Sequence, residues 1–539
     1  MVQDDLKTNE KLYENKKDGN IGMSGSNSKA NKSQNDEKSL LNKNTGDELN
    51  LESFLWESAN WLRGNMDASD FKAYIFPLLF YKRLSDVYDE EYQNALDESK
   101  GDKNYASSTR MHDFQIPDGT HWDDLRKVSK NVGTQLIHNF RAIEMANKKR
   151  LYGIFGSAQW GNTNTMNDEL MKNLIEHFSK LTLSNSKFDP HVLGDAYEYL
   201  IKKFADLTNK SAGEFYTPRP VVRLLNKILD PSDSDSVYDP SCGTAGMLLE
   251  SIEHVKKKKN QDSRKLKIYG QESNLNTSSI ARINLFLHGV SDFDIKKEDT
   301  LRKPLFEEDD KLKTFDCVIA NPPFSLKKWG YDVWKDDPYG RTFAGVPPES
   351  YGDFAWVQHM ISSMNEKNGR VGVVLPSGAL FRSTEKSIRK KIISDLDYLV
   401  AVIQMAGNLF YGTSIAPCIL VFRKTKRKIE KDNVLMINAS KFFQPGRAQN
   451  LFLNEHADEL AKIFQSREEI QYVSKIISRD EIKEQDWNLS VLRYIEPESE
   501  EKIVPVNKAK KDLEKAITNF VTADLELKQL LIKEKFLDD

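Results

Sequence analysis

The sequence predicts an α/β fold: a mostly parallel sheet with an antiparallel edge hairpin, preceded by an α-helical domain and followed by a C-terminal helical tail. Three observations predict it. From about Pro218 to Lys424, short apolar runs ending in turn residues alternate with helical stretches, which is the pattern of a sheet covered by helices on both faces. Before that region, apolar residues recur at three- and four-residue spacing. After it, Leu513, Ile517, Phe520, Leu527 and Leu531 make a narrow apolar stripe among Lys, Glu and Asp.

Residues 1–45 are mostly Asn, Ser, Lys, Asp and Gly, too poor in apolar surface to offset their ordering entropy, and are predicted to be a disordered tail. Residues 46–207 form the predicted helical domain, with Phe54, Leu55, Ala59 and Leu62 on one face and Phe71, Tyr74, Ile75, Leu78 and Leu79 on another. Pro77 lies within the second run and is expected to kink or end it. Residues 208–430 form the sheet domain, its strands near Val237–Tyr238, Leu266–Tyr269, Cys317–Ala320, Val371–Leu375, Leu399–Ile403 and Cys418–Phe422. No full helix fits between the last two runs, so an antiparallel edge pair is expected there. Residues 431–500 read as a mixed extension. In residues 501–539 the stripe suits a helix seeking a partner helix or one docked on its own domain, and the pattern does not choose. The run Lys256–Lys259 reads as the solvated end of a helix.

Of the 539 residues 39% are hydrophobic, enough for a core, yet no stretch approaches the ~20 apolar residues of a membrane span. The polar, acidic start lacks the pattern of a secretory signal, and a cytoplasmic protein is expected. Cys242, Cys317 and Cys418 lie far apart, which predicts neither a disulfide framework nor a metal site.

Four pieces in the sheet domain carry chemistry together. The first is the turn Asp239-Pro240-Ser241-Cys242-Gly243-Thr244-Ala245-Gly246, between a strand and a helix, where small residues let a ligand approach the backbone. The second is Glu272 at the next strand end, suited to accept the hydroxyls of a ribose. The third is Asp299, a carboxylate for the amino group of a cofactor adenine, although alone it reads as a turn cap. The fourth is Asn321-Pro322-Pro323-Phe324, directly after the strand Cys317–Ala320. The prolines fix the backbone and withhold N–H donors. The Asn321 amide oxygen and the Pro322 carbonyl can accept two hydrogen bonds from an exocyclic amino group, and Phe324 offers a face on which a base can stack.

With these residues the chain resembles the N6-adenine DNA methyltransferases, and specifically the modification subunit of type I restriction–modification systems. Gly213-Glu214-Phe215-Tyr216-Thr217-Pro218-Arg219 resembles that family's segment closing over the methionine end of the cofactor. The resemblance implies a Rossmann-like sheet binding S-adenosyl-L-methionine through Glu214, Phe215, Tyr216, Thr217, Pro218, Arg219, Asp239, Ser241, Gly243, Thr244, Ala245, Gly246, Glu272 and Asp299. It implies Asn321, Pro322, Pro323 and Phe324 as the catalytic set, acting on an adenine taken out of double-stranded DNA, with direct methyl transfer to N6. It also implies partners: a separate specificity subunit, a second copy of the chain and a restriction (translocase/nuclease) subunit. Basic residues number 78 against 81 acidic ones, a net charge of −3. A chain that grips DNA unaided usually carries a basic surplus, so either a local basic face exists or another subunit supplies much of the contact. Three alternatives stand beside this reading: an RNA or protein amino-group methyltransferase, a non-catalytic cofactor-binding scaffold, and a nicotinamide-binding domain. The last lacks the fuller three-glycine spacing.

Overall fold

The computed structural model describes residues 51–207, 217–410, 413–447, 449–496, 506–534 and 536. The chain divides into a unit ending at Phe54 and a second unit, Leu55–Asp539. Of the first, Leu51–Phe54 are described and belong to helix α1 (Leu51–Leu62).

In the second unit the helical region precedes the sheet, and its aromatic stripes are core. Helix α2 (Phe71–Glu98) is buried all round in its first half, including Phe71, Tyr74, Phe76, Phe80 and Tyr81. It runs through Pro77, where a kink or an end was expected. The buried Phe76, Leu78 and Leu79 beside the proline are held by packing, which offsets the lost backbone hydrogen bond. Helix α3 (Pro190–Leu207) meets α2 through Tyr197 against Phe76, at 4.2 Å between ring centroids, and through Phe204 against Phe71 and Phe76. The pair then seats on helix α4 (Leu275–Leu287) of the sheet region, where Phe80 stacks on Phe286 at 5.9 Å.

Among the described residues nine strands form the main sheet: β1 (Ser236–Asp239), β2 (Lys267–Glu272), β3 (Phe293–Lys297), β4 (Cys317–Ala320), β5 (Arg370–Pro376), β6 (Leu399–Met405), β7 (Pro417–Arg423), β8 (Asn433–Ala439) and β9 (Ser474–Ser478). Their order is β9-β8-β6-β7-β5-β4-β1-β2-β3. The strands β3, β2, β1, β4 and β5 run parallel, whereas β7 is antiparallel to both β5 and β6. The β6–β7 pair is antiparallel, as expected, but lies inside the sheet rather than at its edge. Residues beyond 430 supply β8, parallel to β6, and β9, antiparallel to β8, outside it. Val371, Val373 and Leu375 on β5 face one hydrophobic cluster, and Val374 faces another. That two-sided burial is why these strands read as continuous apolar runs. The chain leaves β1 toward β2 and β3, then returns to add β4 on the other side of β1, which places the switch of direction between β1 and β4. In such sheets that switch opens a crevice at the carboxyl ends of the strands.

Candidate active site

A cleft of about 810 Å³ lies over the carboxyl ends of β1 to β4. Pro240, Ser241, Gly243 and Thr244 after β1, Glu272 at the end of β2, Asp299 after β3, and Asn321 and Pro323 after β4 all line it. The fold therefore brings together four pieces that are spread over residues 240–323 of the sequence.

The turn after β1 is built by its neighbours. Ser241 N–H donates to Asp239 Oδ1 at 3.0 Å, and Gly243 N–H to Glu272 Oε2 at 3.1 Å. Gly243 has φ +52°, and no atom lies within 4 Å of where its Cβ would stand, so the turn stays open toward the cleft. Asp239, Ala245 and Gly246 stand behind this turn, with helix α5 (Gly246–Lys256) starting at Gly246. Gly270 on β2 lets the turn pack: its Cβ would fall 2.9 Å from Cys242 Sγ and 2.6 Å from Ile295 Cδ1. Asp239 is buried, and burial first, then the Glu272 charge, pushes its carboxyl up to about 8.

Glu272 also accepts from Asn274 N–H at 2.8 Å, and Asp299 Oδ1 accepts from Leu301 N–H at 3.0 Å and Arg302 N–H at 3.3 Å. Asp299 is thus the cap of its own turn as well as part of the cleft wall. Asn321 donates from Nδ2 to Thr217 Oγ1 at 2.9 Å, while its Oδ1 is buried and has no partner among the described residues. Ser241 Oγ is likewise buried without one. These acceptors, the open glycine turn and the paired carboxylates fit a nucleoside-bearing cofactor with hydroxyl and amino donors.

Other expected residues lie elsewhere. Pro322 and Phe324 do not line the cleft; Phe324 is half-buried, with its ring 5.9 Å from that of Phe410 at 61°. Pro218 caps helix α6 (Arg219–Leu229), and Arg219 forms ion pairs with Asp195, at 3.7 Å, and with Glu198 of α3. Glu214, Phe215 and Tyr216 lie outside the described residues. The sequence reading missed the facing wall, where Ser69, Asp70, Lys72, Phe76 and Phe204 come from the helical region. Nothing local marks them, because only the seating of α2 and α3 on α4 carries them there. Lys72, Arg302 and Lys328 also line the cleft, matched in number by Asp70, Glu272 and Asp299. All three cysteines are buried and free, and burial pushes their thiols up, which leaves no ready thiolate nucleophile.

A switch-point cleft floored by a strand–turn–helix, with an acid one strand over and an Asn-Pro-Pro-Phe beyond, defines the class of S-adenosylmethionine-dependent methyltransferases acting on amino groups. A family model for N-6 DNA Methylase matches residues 188–503, and one for the HsdM N-terminal domain matches residues 51–178. The chain belongs to the N-6 DNA methylase family, among the methylase subunits of type I restriction enzymes. It is 30% identical to the methylase subunit of type I restriction enzyme MjaVII of Methanocaldococcus jannaschii, over 86% of this chain and 80% of that one. It is 28% identical to the MpnII methylase subunit of Mycoplasma pneumoniae, over 92% and 96%. The crystal structure of a type I restriction–modification methyltransferase subunit from Streptococcus thermophilus superposes with a TM-score of 0.72 at 28% identity, covering 83% of this chain and 99% of that one. The activity is accordingly transfer of methyl from S-adenosylmethionine to adenine N6 in DNA. No helix among the described residues is long and apolar enough to cross a membrane.

Proposed function

We propose that Asn321 and Pro322 are the amino-group acceptors of this methyltransferase and that Ser241–Gly246, Glu272 and Asp299 hold its cofactor. The observation that carries the assignment is the buried Oδ1 of Asn321, which has no partner among the described residues while the same amide's NH2 is engaged by Thr217. A buried acceptor left unpaired costs roughly 1–3 kcal/mol, a cost removed when an adenine amino group donates to it. N6 is inaccessible within the duplex stack, so the adenine must be everted to reach this oxygen. The Pro322 carbonyl would accept the second amino hydrogen, and the two acceptors together fix the direction of the nitrogen lone pair. When bound, S-adenosylmethionine supplies a methyl group on a sulfonium, an electrophile that requires no nucleophilic side chain. Glu272 would accept its ribose hydroxyls and Asp299 its adenine amino group. Thr217 holds the Asn321 amide, and Phe324, tilted against Phe410, would stack on the everted base.

The cleft residues Lys72 and Lys328 would meet phosphates of the target strand, while sequence reading falls to a separate specificity subunit. A second copy of the chain and a restriction subunit would complete the assembly, as the names of its relatives, methylase subunits of type I restriction enzymes, suggest. Asn321→Ala in the assembled complex should lower transfer of labelled methyl to duplex DNA by about 10²–10³-fold, the scale of losing one preorganised hydrogen-bonding group. S-adenosylhomocysteine binding should persist. Undiminished turnover would overturn the assignment.

A further inference from the structure

Residues 325–352, between the Asn-Pro-Pro-Phe loop and helix α7 (Asp353–Ser362), are too few for a base-reading module, yet they are heavily built. Ser325 N–H donates to Asp353 Oδ1 at 2.8 Å, and Gly352 N–H to Leu326 O at 3.1 Å, so both ends are closed beside the catalytic loop. The middle reaches across to the cofactor side of the cleft. Trp334 Nε1 donates to Leu301 O at 2.7 Å. Arg341 donates from Nη1 to Thr300 O at 3.1 Å and from Nη2 to Leu301 O at 3.0 Å. Asp337 holds Arg341 through Nε at 2.8 Å, and both side chains are fully buried. Arg302 completes the link, pairing with Asp299 Oδ2 at 3.2 Å and donating to Lys328 O at 2.5 Å. Leu301 itself sits in a small cluster with Trp329, Trp334 and Trp356. Three donors thus converge on two consecutive carbonyls directly after Asp299, and a fully buried arginine is costly unless its geometry is used.

We infer that residues 325–352 are a tie between the base-binding loop and the cofactor turn, in which Arg341 and Trp334 are positioning residues that hold Asp299 in its binding geometry. The inference rests on the assignment of Asp299 to the cofactor. It makes cofactor affinity depend on side chains that touch no ligand.

The test is calorimetric titration of the full-length chain with S-adenosylhomocysteine, paired with steady-state kinetics of the assembled complex. Trp334→Phe keeps an aromatic ring in the cluster while it removes the N–H together with part of the indole, a loss of volume that the Trp329→Phe control shares. It should raise Kd for S-adenosylhomocysteine and KM for S-adenosylmethionine about tenfold while kcat at saturating cofactor stays near wild type. Arg341→Met should do the same or more, provided its circular dichroism matches wild type. Trp329→Phe is the control: it lies in the same cluster, but its indole N–H donates to Pro348 O at 3.1 Å and not to the turn, so its Kd should be unchanged. Wild-type Kd in Trp334→Phe would overturn the inference, as would equal weakening in Trp329→Phe, which would mean general loosening. Asp299→Ala separates the two levels. Weakened binding there with normal binding in Trp334→Phe removes the tie alone, whereas normal binding in Asp299→Ala removes the cofactor assignment and the tie with it.

Discussion

Asp239 is an acid the fold keeps against its solution preference. Its carboxyl is pushed from an ordinary 3.8 up to about 8, chiefly by burial, with the Ser241 N–H opposing. The folded chain therefore keeps this proton in the window from about 4 to 8, where the unfolded chain has lost it. Unfolding releases a proton, so stability falls as pH rises through that window and levels off above about 8. Asp239→Asn, which carries no charge in either state, should remove this contribution. Thermal melts from pH 5 to 9 should show the wild type losing ground to the variant as pH rises, and parallel curves would refute the burial account. At this scale the sequence was legible where a motif is contiguous: Asp239 to Gly246 and Asn321 to Phe324 announce themselves. What it does not carry is orientation. The bond between Thr217 and Asn321 joins residues 104 apart and decides which atom of the amide is left over. Nor does the sequence tell that Phe324 tilts against Phe410 instead of lining the cleft.

Strand β2 shows how an element sets the position of a neighbouring turn. Gly270 leaves room for Cys242 on one side and Ile295 on the other, and a β-branched side chain would meet both. Gly270→Val should destabilise the chain by about 1–3 kcal/mol in chemical denaturation, the usual cost of overpacking, and should displace the turn that bears Gly243. Equal midpoints for variant and wild type would show that the sheet absorbs the extra methyls. Strands were legible because burial on both faces leaves continuous apolar runs, as in Val371–Leu375. The run Val434–Ile437 is as continuously apolar and is β8, but a run alone does not name its neighbours. The placement of β7 between β5 and β6 is set by pairing across the sheet, which no local pattern encodes.

Helix α8 (Val506–Lys533) has no buried residue; Leu513 is 62% exposed and Phe520 73%. At 1.5 Å per residue its 28 residues extend roughly 42 Å. Of the two readings left open by its stripe, a helix docked on its own domain is set aside. Deleting everything after Glu500 should abolish co-purification with the specificity subunit while S-adenosylhomocysteine binding persists; loss of both would refute the separation of assembly from ligand binding. The stripe was legible from its spacing. The composite cleft was not, because about a third of its wall comes from residues 69–76 and 201–205, far from any chemical motif.

That shared wall has a consequence for anyone recombining relatives of this chain. A chimaera crossed over near residue 208 would look natural on the sequence, yet it would unite two unmatched half-shells. Exchange that moves α2 and α3 with strands β1 to β4 inherits a vessel already fitted to its contents.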